Sequence, residues 1–306
     1  VVPAEITYTD VPPPPEGFGK TRGIGGEYLN ALQATDALML IVRSFQDSSI
    51  AHIDETIDPA RDAENMMMEM AISDMEMLDR RLVRIKESFK GAKAQQRDAL
   101  IHEEQLLAGI KVKLADGVAL RDQDIAAEDA KVMAGFGFLS MKPLIIAENI
   151  GEDQLADNGS AGVDLTKLIA SERVGVTTIC AQFEMEISQM EPEDEIEFRS
   201  SYGSEEPGLD RMVRISYDVV DQISFFTVGE DECRAWEVAR NSTAQNAAGR
   251  IHSDLQRGFI RAEVIPYAQL IECGGLVEAK KRGLLRQEGK EYIVQDGEIM
   301  HVLFNV

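Results

Sequence analysis

The chain has 306 residues, 44 % of them hydrophobic and 28 % charged, with a net charge of −23. That is the composition of an ordinary globular protein long enough for two or three domains, and no run of about 18 apolar residues marks a membrane-spanning helix. Cys180, Cys233 and Cys273, like His52, His102, His252 and His301, are scattered without disulfide or metal-ligand spacing, which excludes a disulfide framework and a zinc site and points to a reducing cytoplasm.

In chain order, Ile6–Val11 reads as a strand, followed by the proline run Pro12–Pro15, a glycine-punctuated loop from Gly17 to Gly26 and a helix near Glu27–Ala34. Ala37–Phe45, Pro143–Asn149 and Gly175–Ala181 are near-continuous apolar runs, as expected of strands buried on both faces of a parallel sheet. Such strands separated by helices predict a doubly wound α/β layer. Between the first two runs, Met68, Ala71, Met75, Leu78, Leu82 and Ile85 repeat with heptad spacing, a coiled-coil seam. After the Lys90–Gly91 break, Leu100, Leu107, Ile110 and Leu114 continue the seam on a second helix, with Glu103 as the exception, and a short helix fits Asp122–Gly135. Two seamed helices joined by a short basic loop predict an antiparallel hairpin. The methionine stripe Met66, Met67, Met68, Met70, Met75 and Met77 could be an adaptable peptide-binding surface, but its helical spacing suits a helix core better.

The last 80 or so residues change character. Ser224–Val228 and Glu232–Val238 read as a hairpin anchored by Trp236, followed by a helix over Ala244–Gln256, a strand over Ile260–Ile265, short helices in Ala268–Arg282 and a second hairpin from Glu291–Val294 and Ile299–Phe304. Two hairpins around a helix predict an α+β domain of β-grasp type. The expected boundaries are a nucleotide-type domain over 1–60 and 138–222, the helical insertion over 61–137 and the C-terminal domain over 223–306. From Gly229 to Val306 there are 10 Lys+Arg against 12 Asp+Glu, so the rest of the chain carries −21 of the −23. Phosphate contacts need cations, which places any RNA contact in the C-terminal part.

Gly19-Lys20-Thr21 follows a strand like the end of a G-x-x-x-x-G-K-[ST] loop, but the position of the first Gly is Pro14, flanked by Pro13 and Pro15. Proline removes the backbone N–H donors that such a loop aims at phosphates, so this is not a phosphate loop. The order of elements fits a different part of a P-loop NTPase. Asp10 ends a strand where such proteins place an Asp that helps hold Mg²⁺, and a glycine-rich, switch-like loop follows. Asn149 ends the strand Leu144–Glu148, where a side-chain amide reads the nucleotide base, with Glu152 three residues on.

Several further stretches carry a family resemblance. They are Gly23-Ile24-Gly25 with Tyr28-Leu29, Asn149-Ile150-Gly151-Glu152, Glu206-Pro207-Gly208-Leu209-Asp210-Arg211, Ala247-Ala248-Gly249-Arg250-Ile251-His252, Gly258-Phe259-Ile260-Arg261-Ala262-Glu263 and Lys290-Glu291-Tyr292-Ile293-Val294-Gln295-Asp296-Gly297. With them the chain resembles the YchF/Obg-like ATPase family over essentially its whole length. The resemblance implies a partial P-loop NTPase-type sheet with an inserted coiled-coil hairpin and a terminal TGS domain. It also implies binding and hydrolysis of ATP or GTP with Mg²⁺, a ribosomal partner, and neither a membrane nor DNA.

Asn149 and Glu152 match the family's N-x-x-E element, which replaces the guanine-selecting N-K-x-D, and Gly23 and Gly25 match its switch loop. Ser48-Ser49-Ile50-Ala51-His52-Ile53 resembles the mobile loop whose His is implicated in hydrolysis, and imidazole titrates near neutrality. The RNA-facing set is expected from Arg234, Arg240, Arg250, Arg257, Arg261, Lys280, Lys281 and Arg282. Two departures stand out. Asp10 is followed by Val11-Pro12-Pro13, which removes the family's switch amide, and no G-x-x-x-x-G-K-[ST] occurs in the 306 residues. Roughly 60–75 residues of such a domain are therefore expected upstream of Val1, and the chain as given is expected to be inactive alone. The rival reading is a nucleotide-independent RNA- or protein-binding adaptor with a degenerate G domain.

Overall fold

Two units divide the chain, Asp10–Val220 and a second made of Val1–Thr9 with Asp221–Val306. The computed structural model describes all residues except 12–23, 25, 51, 53–55, 158–163, 170, 205, 230 and 306, and the side chain of residue 95.

The first unit contains α1 (Gly26–Gln33), β1 (Leu38–Arg43), α2 (Pro59–Ser88), α3 (Ala94–Ala115), α4 (Ala127–Ala134), β2 (Leu144–Asn149), β3 (Val174–Ile179), α5 (Ala181–Ile187), α6 (Pro192–Ser201) and α7 (Gly208–Val219). The three apolar runs form a parallel sheet in the order β1-β2-β3, with Leu38 opposite Leu144 and Leu144 opposite Val174. One face packs Leu38, Val42, Leu144, Ile146 and Val174 against Tyr28 and Leu29 of α1 and Ala63 and Met70 of α2. On the other face α7 lies close against β3. A Cβ added to Gly175 would fall 2.8 Å from Ile215 and 2.9 Å from Val219, so glycine is what allows this approach. That cover reaches β2 and β3 but not β1, and Ile41 stays 54 % exposed. The expectation that all three strands are buried on both faces therefore fails for β1.

The hairpin begins without a break from the sheet. Asp58 caps α2 by accepting the Arg61 N–H at 3.1 Å, and Pro59 opens its first turn, a strong start signal. At 1.5 Å per residue the 30-residue helix is about 45 Å long. Its first half, with Ala63, Met66, Met67 and Met70, belongs to the sheet core. Its second half, with Ala71, Met75, Leu78, Leu82 and Ile85, packs with Leu100, Leu107, Ile110 and Leu114 of α3. The heptad seam is realised except at Met68, which is exposed because α2 still faces the sheet at that level. Glu103, the polar exception, takes a two-pronged bond from Arg81 across the hairpin, 2.7 and 2.8 Å. The methionine stripe is core apart from Met68.

The second unit holds β4 (Gln222–Val228), β5 (Cys233–Ala239), α8 (Ala244–Ile251), α9 (Ser253–Arg257), β6 (Phe259–Pro266), α10 (Tyr267–Cys273), α11 (Leu276–Lys281), β7 (Arg286–Glu288) and β8 (Glu298–Phe304). Its sheet runs β5-β4-β8-β6-β7, with β4 and β8 parallel and the other pairs antiparallel. Phe225, Ala247, Ala262 and Val264 meet in its core. The expected single helix over Ala244–Gln256 is broken at His252, whose backbone is extended at φ −163°. Gly274 and Gly275 separate α10 from α11 at φ +78° and +146°, conformations natural to glycine.

Two expected strands are corrected. Glu291–Val294 is no hairpin arm: the Tyr292 carbonyl accepts the Ala244 N–H and the Val294 N–H donates to Ser242. These bonds tie the segment to the entry of α8, and β8 pairs with β6 and β4 instead. Residues 3–11 form no strand either. A strand needs a ladder partner, and here one is found only by Val2, which brackets Arg234 on β5 through bonds of 2.8 and 3.0 Å to Cys233 and Ala235. Val1–Thr9 accordingly groups with the C-terminal unit, not with the nucleotide-type segment to which the sequence boundaries assigned it.

Candidate nucleotide site

Open parallel sheets bind ligands outside the carboxyl ends of their strands. Here those ends lie side by side, Arg43 beside Asn149 and Asn149 beside Ile179.

Past β1, the Arg43 guanidinium organises the loop by donating to the carbonyls of Phe45 (2.9 Å), Ile50 (3.0 Å) and Asp47 (2.9 Å) and lying over the Phe45 ring. Asp47 accepts the N–H and O–H of Ser49 at 2.8 and 2.6 Å, and these bonds hold its carboxyl below the usual range. The loop then brings His52 Nε2 to 3.1 Å from Asp62 Oδ2, in the first turn of α2. The other oxygen of Asp62 accepts from Arg61, whose guanidinium also holds the Thr56 carbonyl and hydroxyl.

Past β2, Asn149 is fixed from both sides. Its carbonyl oxygen accepts the Ser44 N–H at 2.8 Å, and its side-chain Oδ1 accepts the Ala181 N–H at 3.1 Å. The second bond assigns the amide orientation, so Nδ2 is left to donate. A Cβ at Gly151 would fall 2.5 Å from Asp153 Oδ1, the end of an exposed side chain, and 3.3 Å from Phe45 Cβ, so a substitution there would displace Asp153. Glu152 is exposed at the start of the 3-10 helix Glu152–Asp157. Past β3 comes Cys180, whose thiol is pushed up by burial, and then α5.

The fold thus brings His52 and the Asn149–Glu152 loop to adjacent strand ends. Asp10 is not with them in any strand; it is exposed in irregular backbone. Gly23 and Gly25 lie outside the described residues, as does Gly19-Lys20-Thr21. No group of three His, Cys, Asp or Glu suited to a metal occurs among the described residues. This end of the sheet thus offers the Asn149 amide and the exposed Glu152 carboxylate side by side on one loop. Arg43 and the Ala181 N–H were missed by sequence reasoning. The first had a faint signal, a lone charge closing an apolar run, and the second, a backbone group, had none.

The C-terminal cations are largely compensated in place. Arg234 lies over Trp236 and 3.7 Å from Glu232, Arg240 pairs with Asp221, Arg257 with Asp254, and Lys281 and Arg282 with Glu278. Arg250 donates to the Glu237 carbonyl, while Arg261 and Lys280 are exposed.

The class defined by this architecture is an α/β protein with functional groups gathered at the ends of a parallel sheet, a helical hairpin inserted after its first strand, and a mixed-sheet C-terminal unit. The YchF-GTPase_C family profile, described as a protein of unknown function (DUF933), matches residues 222–305. The chain is 36 % identical over 307 residues to the ribosome-binding ATPase YchF of Bacillus subtilis, covering 100 % of this chain and 83 % of that protein. It is 31 % identical over 310 residues to Obg-like ATPase 1 of Oryza sativa, covering 100 % and 77 %. The structure of the Schizosaccharomyces pombe YchF GTPase superposes with a TM-score of 0.78 at 25 % identity, covering 93 % of this chain and 76 % of that one. The chain belongs to the YchF family.

Proposed function

We propose that this is a ribosome-associated nucleotide-binding protein of the cytoplasm that, in its intact form, binds and hydrolyses ATP or GTP with Mg²⁺, and that its C-terminal unit is a TGS domain. The relatives named above support the class. The observation that carries the site is Asn149, pinned at the end of β2 by the Ala181 N–H at 3.1 Å beside the loop bearing His52.

With Oδ1 engaged by the Ala181 N–H, Asn149 offers its Nδ2 as a donor, and the purine N7 acceptor is common to adenine and guanine. Asn149 then selects purines, and the choice between them falls to Glu152, which accepts from an exocyclic amino group. The bound Mg²⁺-nucleotide supplies the phosphoanhydride to be cleaved. His52, its Nε2 turned to Asp62 at 3.1 Å, is the group assigned to hydrolysis. Asp10 and the Gly23–Gly25 loop remain the proposed Mg²⁺ and switch elements.

Calorimetric titration of ATP and GTP with Mg²⁺ into the chain as given and into a form extended upstream tests this reading. Tight binding by the extended form is expected, and Asn149→Ala in that form weakens both nucleotides about tenfold, the value of one hydrogen bond. Equal binding by wild type and Asn149→Ala removes the base-site assignment. No binding by either length leaves the nucleotide-independent adaptor.

A further inference from the structure

Between Arg80 and Arg97 the sequence places seven Lys and Arg against one carboxylate, Glu87, in a chain whose net charge is −23. The fold puts this stretch at the tip of the helical hairpin, the end of α2, the turn and the start of α3. Three of the cations have internal partners: Arg81 holds Glu103, Arg80 lies 3.6 Å from Glu76, and Arg97 donates to the Ala92 carbonyl. Arg84, Lys86, Lys90 and Lys93 are exposed, and none has a carboxylate within 4.0 Å among the described residues. This contrasts with the C-terminal arginines, most of which carry an adjacent Asp or Glu.

Helix dipoles do not account for the pattern. Cations late in α2 suit its negative end, but Lys93 is the N-cap residue of α3, whose first turn contains no acidic residue. A cation is unfavourable at a helix N-terminus, so the internal electrostatics of the hairpin argue against Lys93 rather than for it. An external polyanion reverses that sign. The tip also lacks the continuous apolar face of a membrane-surface helix: Ile85, Phe89 and Leu100 turn inward to the seam, and Val83 and Ile101 are exposed singly on different helices.

We propose that the hairpin tip, through Arg84, Lys86, Lys90 and Lys93, docks on the phosphate backbone of ribosomal RNA. The proposal deepens the ribosomal reading above and moves the expected RNA surface from the C-terminal unit to the hairpin.

The test uses the 306-residue chain and its Arg84→Gln/Lys86→Gln/Lys90→Gln/Lys93→Gln variant. Binding to naked ribosomal RNA by filter retention and co-sedimentation with ribosomes are followed between about 50 and 200 mM salt. All four side chains are exposed, so an unchanged circular dichroism melt is expected and certifies the fold. The variant is expected to bind RNA at least tenfold more weakly, and its log K against log salt to be shallower by about 3 to 4, at about 0.9 per lost phosphate contact. Unchanged affinity and slope overturn the proposal. If the wild type sediments with ribosomes and the variant does so equally, the tip falls and the ribosomal reading stands. If RNA binding depends on the four residues but the wild type does not sediment with ribosomes, the tip stands and the ribosomal reading falls. Variant-sensitive sedimentation without binding to naked RNA assigns the surface to an acidic protein and overturns the RNA proposal.

Discussion

Asp74→Ala is expected to lower the unfolding free energy by about 3 kcal/mol at pH 7, and by more at lower pH. Asp74 is fully buried on α2 and accepts the N–H groups of Leu139 and Ser140 at 2.8 and 2.7 Å. Those donors open the short 3-10 helix Leu139–Met141, which returns the chain from the hairpin to β2. Alanine leaves both amides buried without partners, each costing roughly 1–3 kcal/mol, and it removes the carboxylate near Arg121, itself buried and held down to about 10 by desolvation. The pH dependence follows from Asp74 itself. Burial raises its carboxyl from 3.8 to about 6, against the opposing bonds from Ser140 and Leu139 and the charge of Arg121. A carboxyl raised in the folded state contributes stability that is full below its unfolded value and lost as pH rises through the folded one. Two units amount to about 3 kcal/mol, so the cost of alanine grows by up to that amount as pH falls from 7 to 4. Urea denaturation at the two pH values measures it, and an equal cost at both would sink the titration argument.

The same residue marks a limit of the sequence. Asp74 falls between seam positions Ala71 and Met75 and reads as an ordinary polar helix residue; only the return of residues 139–140, distant along the chain, gives it a partner. Local signals fared well where local physics decides. The three apolar runs became β1–β3, the caps and periodicity placed α2 and α3, and the strand-end position of Asn149 followed from Leu144–Glu148. They failed where a distant backbone decides. Ile6–Val11 has the composition of a strand but no ladder in the parallel sheet, and Glu291–Val294 has β propensity but its bonds go to Ser242 and Ala244. The short helices expected in Ala268–Arg282 are α10 and α11, parted at Gly274–Gly275. Averaging −21 over the residues before Gly229 concealed the dense basic cluster around Lys86 and Lys90. Of the proposed site, Asn149 and His52 were legible in the sequence, but the bond that orients the Asn149 amide comes from a backbone N–H that has no side-chain signature.

That N–H belongs to the first residue of α5, and α5 is held by a charge network whose disruption is the other large expected effect. Glu184 of α5 receives Arg199 of α6 through two bonds, 3.0 and 2.8 Å, and the Gly208 N–H of α7 at 3.0 Å. Arg199 also reaches Glu195 at 2.8 Å, and its side chain is only 8 % exposed. The bonds to Glu184 raise the guanidinium pKa further above its ordinary value. Gly208, one of the family-like motif residues, now has a reason, since a Cβ there would fall 2.9 Å from the Glu184 carboxylate that Arg199 holds in place. Glu184→Ala leaves the nearly buried Arg199 with Glu195 alone, and Arg199→Ala leaves Glu184 without its cation, so each is expected to cost about 3 kcal/mol. The double substitution is expected to cost about 2 kcal/mol less than their sum, because the second truncation relieves the stranded charge. Denaturant unfolding of the four proteins gives the cycle. Additive costs would show that Glu184 and Arg199 act separately, and the orientation of Asn149 through Ala181 would then not rest on this network.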